Sequence, residues 1–493
     1  MGSETDEPVP NLNLYEEKGE GNVMNLPRLL LIEPPFYRLH NENYGLRKYP
    51  LGIGSLAAVV MDSGLAEVKV VNSDFHPDPA LFSLDFLAGE GFLSYLHNLT
   101  NLDHPPYADL KRLVESYRPD LVGISVKTPV LSSSLVCARI VKELLPRTLV
   151  IFGGPHPSVT GADLLTRKEV DVVTYGEGEG VILELIKAVS SGKSLDEIDG
   201  ISFRRDGVVV TTPSRPLLDN LDALPFIHRH LPEVLEGYNL YPPRAFGYVF
   251  TARGCPFSCT FCSSGTIWSG PVRFRSEERL LAELAELRAM GVTHIHFDDD
   301  TFGVTRKRLI ALCQSLEKSS SGLTFSCETH VALISEATTA AMVRARFNTV
   351  QLGLESGDDV MLRLIGKCFT VKQALEAARL VKSAGLRLEV FIMVGFPDET
   401  EASLAATRRL IETLEADKLI YSIFTPYPGT PLFDQCRRSG VIGKGYDYSR
   451  HSHQSPENGF CPKIGKERFR SLASGIESLV TAKNAASREL LSR

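Results

Sequence analysis

The sequence predicts an α/β protein with an N-terminal doubly wound, Rossmann-like sheet, a partial TIM-like (β/α)6 barrel and a C-terminal helical segment. Short apolar runs alternate with helical patterns through the first 195 residues, as is typical of a doubly wound sheet. About six further strand–helix units occupy residues 245 to 435, too few for a complete eight-fold barrel. We therefore divide the chain into a disordered acidic tail (1–25), the sheet domain (26–195), a hairpin and linker (196–244), the barrel (245–440) and a helical lid (441–493).

Composition sets the broad class of protein. The 493 residues are 43% hydrophobic and 23% charged, which is ordinary for a globular chain with two or three cores. The net charge of -7 argues against nucleic acid as the main partner. No apolar run reaches the roughly 18 residues of a membrane span, and residues 1–21 lack the apolar core of a signal peptide. The sequence predicts a cytoplasmic protein.

The N-terminal third supplies the sheet. The predicted strands are Arg28–Ile32, Val68–Val71, Asp120–Ser125, Leu149–Gly154 and Val170–Tyr175, with helices at Leu51–Asp62, Ser132–Leu145 and Glu179–Ser190. Each strand ends in turn-forming residues, and parallel sheets bind ligands at that edge. Glycine at a strand end is also plain turn chemistry, so both interpretations stay open for any single loop. The absence of G-x-G-x-x-G after the first strand argues against a dinucleotide.

A connector links the two parts. Asp206-Gly207 lies between two β-rich runs and predicts a hairpin. The proline-rich stretch from Pro213 to Pro225 predicts an extended linker between the domains. Aromatic residues follow it, and we interpret them as packing at a domain seam rather than as part of a site.

Three of the nine cysteines, Cys255, Cys259 and Cys262, lie within eight residues at the exit of the first barrel strand. A structural zinc site needs four ligands, and the chain has no second cysteine or histidine pair at zinc-knuckle spacing. A disulfide framework is excluded because the three cysteines are closely spaced, the total of nine is odd and the predicted compartment is reducing. Thiolates ligate iron–sulfur clusters, so the spacing favours a cluster with one iron free of protein ligands. Such an iron can bind a small molecule.

The later barrel strands also end in polar or glycine-rich residues. Their runs are Thr293–Asp300, Thr324–His330, Thr349–Gly357, Leu388–Pro397 and Leu419–Thr430. The three carboxylates Asp298 to Asp300 could bind a metal, but we favour capping of the next helix and hydrogen bonding to a ligand. His294 and His296 alternate along their strand, which indicates the barrel interior.

The residues around the cysteines resemble the radical S-adenosylmethionine (SAM) superfamily, with an aromatic residue, Phe261, before the third cysteine and Arg253-Gly254 before the first. The resemblance implies a 4Fe-4S cluster on Cys255, Cys259 and Cys262, with SAM bound at its open iron. It further implies SAM-side roles for the strand-exit residues Phe261, Asp299, Glu355 and Gly395. His330 stands where relatives often carry arginine, which leaves that contact unassigned.

The loops of the first sheet, taken together, resemble the cobalamin-binding domain that precedes the barrel in one large subgroup of that superfamily. The resemblance implies a cobalamin groove lined by Ser125, Gly153, Gly154, His156 and Gly176. Whether His156 faces the corrin or is an ordinary loop histidine stays open. Asp74-Phe75-His76 matches the start of the axial-histidine motif of cobalamin mutases, but it follows the second strand and has Pro79 where that motif has glycine. We interpret this match as chance.

The two resemblances imply an enzyme that cleaves SAM reductively and uses cobalamin, most commonly to methylate an unactivated carbon of a small molecule. They also imply a reducing partner such as flavodoxin or ferredoxin. Two alternatives remain: a cyclisation, ring contraction or oxidation without methylation, and a non-catalytic cobalamin sensor with a structural cluster. In multi-domain relatives a C-terminal tail covers the substrate mouth, and we expect residues 441–493 to form a packed lid.

Overall fold

The computed structural model describes residues 26–46, 48–80, 84–268, 270–319 and 321–492, with side chains described through residue 487. The predicted acidic tail therefore lies outside the described residues. Two sheets and a long C-terminal helix make up the fold, as the sequence predicts. No helix among the described residues combines the length and the apolar character needed to cross a membrane.

The first sheet has seven strands in the order β2-β1-β3-β4-β5-β6-β7. Its strands are β1 (Arg28–Glu33), β2 (Glu67–Asn72), β3 (Leu121–Ser125), β4 (Leu149–Gly153), β5 (Val172–Thr174), β6 (Ile201–Arg205) and β7 (Val208–Thr211). The first five are parallel, and the chain direction across the sheet reverses between β1 and β3. Ligands of doubly wound sheets bind at such a switch point.

The predicted hairpin β6–β7 is not confined to the linker. Strand β6 pairs antiparallel with β5, so the hairpin extends the first sheet. The hairpin joins the sheet through β6, whose residues Ile201, Ser202 and Phe203 are buried. Three of the four residues of β7 are exposed. The outer strand β7 thus closes the sheet with a solvent-facing edge.

Both faces of the first sheet are buried, which is why its strands read as continuous apolar runs. Leu29 and Leu31 of β1 face one core, and Leu30 and Ile32 face the other. Helices α2 (Leu51–Ser63) and α8 (Gly178–Ser191) cover the first face. Helices α5 (Pro105–Tyr117) and α6 (Leu131–Leu144) cover the second.

The second sheet contains six parallel strands in the order β15-β14-β13-β12-β11-β8. They are β8 (Tyr248–Val249), β11 (His294–Phe297), β12 (Thr324–Thr329), β13 (Phe347–Glu355), β14 (Arg387–Val394) and β15 (Lys418–Ile423). Strands β8 and β15 do not pair with each other, so the barrel is open. The short strands β9 (Ala252–Arg253) and β10 (Arg273–Phe274) form a separate antiparallel pair around the cysteine loop.

Helices cover the barrel and join the parts of the chain. The remaining ones are α1 (Tyr37–His40), α3 (Leu84–Ala88), α4 (Glu90–Asn98), α7 (Pro155–Thr160), α9 (Leu231–Val234), α10 (Ser264–Ile267), α11 (Glu277–Ala289), α12 (Arg306–Ser319), α13 (Glu336–Arg344), α14 (Asp359–Leu364), α15 (Val371–Ser383), α16 (Glu401–Thr413), α17 (Pro431–Arg438) and α18 (Lys466–Ser492). Ser276 caps α11 by accepting the backbone N–H of Arg279. The sequence analysis did not anticipate helices α3 to α5.

Candidate active site

A cleft of about 410 Å³ opens between the carboxyl edge of the first sheet and the mouth of the barrel. From the sheet loops it is lined by Glu33, Pro34, Phe36, Tyr37, Leu46, Asp74, Lys127, Thr128, Pro129, Val130, Pro155 and Val159. The barrel adds Ser263, Tyr427 and Pro428, and the C-terminal segment adds Ser452, His453 and Gln454. Ser263 directly follows Cys262, so the cleft brings the switch point of the first sheet to the cysteine loop.

The three cysteines of the loop are free thiols at the rim of the barrel. Cys255 and Cys259 are partly buried and Cys262 is exposed. Although the Cys262 side chain reaches the surface, desolvation by the protein around it raises its pKa to about 11, with a smaller opposite effect from the backbone N–H of Ser264. Burial also raises the pKa of Cys259, and the nearby Lys367 ammonium opposes that shift.

The donor set fits a cluster better than a single ion. In the described part of the chain, no three His, Cys, Asp or Glu side chains are grouped as one metal ion would require. An iron–sulfur cubane instead takes one thiolate at each of several separate corners, and three thiolates on one loop match that arrangement. The residues present therefore fit a three-cysteine cluster.

Asp299 holds the start of the cysteine loop. Its buried carboxylate accepts the backbone N–H groups of Thr251 (2.6 Å) and Ala252 (3.2 Å), together with the Thr251 hydroxyl. Burial raises the pKa of Asp299 to about 7 despite these bonds. Both carboxylate oxygens are thus engaged by the loop, and the SAM-side role expected for Asp299 stays a prediction. The neighbouring Asp300 is exposed beside Gly254.

Backbone contacts hold the far end of the loop. The N–H of Thr260 donates to Ile365 O (3.0 Å), and the N–H of Leu432 donates to Thr260 O (3.1 Å). His330 stacks on Phe257 with ring centroids 3.6 Å apart, and burial lowers the pKa of His330 to about 3. The histidine at this position therefore supports the loop as a neutral ring.

Glu355 forms a buried ion pair at the exit of β13. Its carboxylate lies 3.0 Å from Lys367 Nζ, both side chains are less than 10% exposed, and its φ of 63° is left-handed. Lys367 also lies 5.7 Å from the ring centroid of Phe261, beside the second and third cysteines. Lys367 could not be predicted at this site, because no local pattern places a lysine after α14 against a loop more than 100 residues earlier.

The Gly395 exit is tightly packed. Gly395 has a φ of 93°, and a Cβ added there would lie 2.8 Å from the Phe469 ring of α18. Its N–H and that of Phe396 donate to Glu399 Oε2. The Phe396 ring lies 5.7 Å from Phe261, which connects this exit to the cysteine loop.

The glycines expected on the cobalamin side stand at the exits of β4 and β5. A Cβ on Gly153 would lie 2.8 Å from Thr174 Oγ1, and Gly154 has a φ of 103°. Gly176 has a φ of 68°, and its N–H donates to Ser158 Oγ at 3.0 Å. Ser125 ends β3 beside Gly153 and is partly buried. These four residues are not among those that line the cleft; its wall at this edge of the sheet is formed by the residues that follow them in the loops, Lys127 to Val130 and Pro155. A bulky cofactor bound in the cleft would therefore contact the loops through these neighbours.

His156 lies behind the cleft wall. It is 1% exposed, its Nδ1 pairs with Thr128 Oγ1 (3.0 Å), and its ring meets Tyr448 edge-on at 5.1 Å. Its Nε2 has no hydrogen-bond partner among the described residues, and burial lowers the pKa of His156 to about 4. The histidine that lines the cleft is His453 of the C-terminal segment.

Asp74 also lines the cleft. It accepts the N–H groups of Phe36 (2.9 Å) and Arg38 (3.0 Å), and burial raises its pKa to about 7. Asp74 is among the residues that line the cleft and His76 is not, and the interpretation of the motif as chance stays a prediction. Beside it, Lys127 Nζ lies 2.6 Å from Glu33 Oε1.

A second cavity of about 540 Å³ adjoins the first, and His453 and Gln454 line both. Leu84, Ala88, Phe92, Leu93 and Leu96 form its apolar wall. Its other wall is mostly polar and includes Arg470, Ser474 and Glu477 of α18. The C-terminal residues therefore separate a cleft at the cysteine loop from an amphipathic chamber.

Comparison with known proteins agrees with this architecture. The Radical SAM superfamily model matches residues 249–411, and the B12 binding domain model matches residues 38–186. The chain is 32% identical over 430 residues to an uncharacterized methyltransferase of Pyrococcus horikoshii, and the match covers 85% of each chain. It is 28% identical over 360 residues to an anaerobic magnesium-protoporphyrin IX monomethyl ester cyclase of Rubrivivax gelatinosus, covering 70% of this chain and 63% of that protein.

Among solved structures, the radical SAM methyltransferase TsrM of Kitasatospora setae, with cobalamin and a 4Fe-4S cluster bound, superposes with a TM-score of 0.69. The match covers 92% of this chain and 91% of that one at 18% identity, so it shows a shared fold.

The fold and the cysteine loop thus define a radical SAM enzyme with a B12 binding domain. The chain belongs to the cobalamin-binding radical SAM family. Its cofactors are accordingly a 4Fe-4S cluster, SAM and cobalamin.

Proposed function

We propose that this enzyme methylates an unactivated carbon of a small-molecule substrate. One observation carries the proposal: the switch point of the B12 domain and the residue after Cys262 line the same cleft. When bound, the cluster and SAM supply one-electron cleavage chemistry, and cobalamin supplies a carrier for a methyl group. The protein has to hold these groups and the substrate together and to keep water out.

Residues of the chain perform those tasks as follows. The Lys367 ammonium lies beside the second and third cysteines and favours their thiolate forms. His453 Nδ1 donates to Ile423 O (3.3 Å), which leaves Nε2 to accept from the Tyr427 hydroxyl (2.7 Å). The pair fixes the orientation of the His453 ring, which lines both cavities. Proline and aromatic side chains on the remaining walls limit the entry of water.

The direct test is the mass of the product. Anaerobically reconstituted enzyme would be incubated with a reductant, hydroxocobalamin, candidate substrates and SAM carrying a deuterated methyl group. We expect a product with one added methyl group that bears three deuteriums. Replacing all three cluster ligands (Cys255→Ala, Cys259→Ala, Cys262→Ala) should abolish SAM cleavage, whereas Cys137→Ala, at a cysteine of α6 in the core of the first sheet, should not.

Cyclisation is the second candidate, and the named cyclase of Rubrivivax gelatinosus supports it. The same experiment separates the two reactions. Products that never gain a methyl group, formed with consumption of SAM, would contradict methylation and favour a cyclase or oxidase. We further propose flavodoxin or ferredoxin as the natural electron donor.

We place the substrate in the second cavity, because it meets the cleft at His453 and combines apolar and polar walls. Ser474→Trp should fill this cavity and lower product formation at least tenfold, with SAM cleavage in the absence of substrate unchanged. Ser478→Trp is the matched control, since Ser478 is an exposed serine of the same helix outside the cavity lining. Equal product formation by both variants would exclude this placement.

A further inference from the structure

An arginine of the cysteine loop forms a bridge to the B12 domain. Arg253, two residues before Cys255, places Nη1 2.6 Å from Glu177 Oε1 and Nη2 2.6 Å from Glu179 Oε1. The two glutamates flank Gly178 at the start of α8, directly after the loop that contains Gly176. We call Arg253, Glu177 and Glu179 the Arg253 bridge. It joins a loop expected to contact cobalamin to the loop that holds the cluster.

The bridge is buried and its acceptors are further engaged. The Glu177 and Glu179 side chains are 4% and 7% exposed, and that of Arg253 is 14% exposed. Glu179 also accepts from Ser55 Oγ (2.8 Å), and Glu177 accepts from Arg273 Nη1 (2.7 Å) and the Leu218 N–H (2.6 Å). Buried ion pairs gain little net stability over apolar packing, but they demand one geometry. Neither loop can shift without breaking charge-assisted hydrogen bonds.

The bridge holds the same segment that the barrel holds from the other side. Asp299 accepts the N–H groups of Thr251 and Ala252, just before Arg253. Arg253 and Arg273 both approach the ring of Trp268, at 5.8 and 5.9 Å from its centroid. The first cluster cysteine therefore follows a segment that is fixed jointly by the two domains.

We propose that Arg253, Glu177 and Glu179 are positioning residues that couple cobalamin binding to the occupancy of the cluster site. A cofactor that orders the Gly176 loop also orders the glutamates, and these hold Arg253 and the start of the cysteine loop. Because linkage is reciprocal, a loaded cluster must tighten cobalamin binding by the same factor. The inference rests on the proposed placement of cobalamin and of the cluster, and it does not depend on whether a methyl group is transferred.

The test measures hydroxocobalamin binding by anaerobic absorbance titration, with cluster-free and cluster-loaded chain. For the unaltered protein we expect the dissociation constant to fall about tenfold when the cluster is loaded, within the usual range of coupling between sites. In Glu177→Gln and in Glu179→Gln the two dissociation constants should agree within about twofold. Arg253→Lys, which keeps the charge but loses the two-pronged geometry, should retain only part of the coupling.

The matched control is Glu184→Gln, which breaks the ion pair between Glu184 of α8 and Arg215 and leaves the bridge untouched. It should show the full tenfold effect. Glu179→Gln serves as the second variant should Glu177→Gln fail to fold, because it leaves the Arg273 and Leu218 contacts of Glu177 in place. The reverse effect should appear as slower loss of iron to a chelator when hydroxocobalamin is bound.

Trp268 is the single tryptophan of the chain and reports on the bridge directly. Its fluorescence should change when hydroxocobalamin binds the cluster-free protein, and less so in Glu177→Gln. Equal dissociation constants with and without the cluster in the unaltered protein would overturn the inference, even if the product carries a methyl group. A failure of hydroxocobalamin to bind would overturn both the inference and the placement of cobalamin.

Discussion

At the scale of single residues, Lys367 and Glu355 form an ion pair in which each buried charge is compensated by the other. Both are nearly inaccessible to water and face each other beside the cysteine loop. Removing one member of a buried pair leaves an uncompensated charge, which costs roughly 3–5 kcal/mol. The pair is therefore a sensitive point of the site even before any cofactor binds.

Lys367→Met should lower the free energy of unfolding of the cluster-free protein by about 3 kcal/mol, as measured by urea denaturation. The double variant Lys367→Met with Glu355→Gln should recover most of that loss, because no buried charge is left unpaired. Lys372→Met, at an outward position on α15, provides the surface control. A double variant as unstable as the single one would show that the loss comes from packing and not from charge.

Glu399 predicts a pH effect of definite sign. Burial raises its pKa to about 8, whereas in the unfolded chain it titrates near 4.5, so the folded state keeps the proton over the interval between. The stabilising contribution is complete below about pH 4.5 and is lost as the pH rises towards 8. Relative to Glu399→Gln, the unaltered protein should lose at most about 1.4 kcal/mol per pH unit across this interval. Parallel stability curves for the two proteins would contradict this assignment.

The role of a residue could be predicted from the sequence where its partners lie close to it along the chain. Cys255, Cys259 and Cys262 lie within eight residues of one another, and their loop stands where the strand pattern placed it. By contrast, no spacing in the sequence reveals that Asp299 accepts the N–H groups of Thr251 and Ala252, which lie 48 and 47 positions earlier. The burial of His156 likewise depends on Tyr448, nearly 300 residues later.

At the scale of elements, α18 packs against the last two strands of the barrel. Its Phe469 is buried against Gly395 of the β14 exit, and its Asn484 side chain pairs with the backbone of Leu419 in β15. Gly395 is left-handed, and a side chain there would collide with Phe469. The helix thus fixes the two last strands of an open barrel that lacks further strands to close it.

Phe469→Ala should reduce the free energy of unfolding by about 3–5 kcal/mol, the usual cost of a large aromatic cavity in a core. Leu472→Ala, one turn along and only partly buried, should cost less and provides the comparison. Urea denaturation of the cluster-free variants measures both. A small effect of Phe469→Ala would mean that α18 packs loosely and does not brace the Gly395 exit.

At the scale of the whole molecule, the two sheets share one hydrophobic core. The cluster that contains Leu29 of β1 continues through Val249 of β8 to Val480 of α18. The other face of the first sheet has its own core, which includes Tyr107 and Phe152. The strand patterns predicted both sheets, but they could not show that one core runs through both domains.

We expect thermal unfolding to be a single cooperative transition. Trp268 lies at the boundary of the domains, so its fluorescence and the far-ultraviolet circular dichroism should change at the same temperature. Glu177→Gln should shift both signals together. Two separated transitions would indicate that the B12 domain and the barrel unfold independently.

His453 and Gln454 form the boundary between the two cavities. The walls of the second cavity come from α3, α4, the last barrel strand and the C-terminal segment, and none of the three cluster cysteines lines it. Mutations in that chamber can therefore accumulate without disturbing the cysteine loop. A family built in this way can acquire new substrates through drift in peripheral helices while its cofactor chemistry is inherited unchanged.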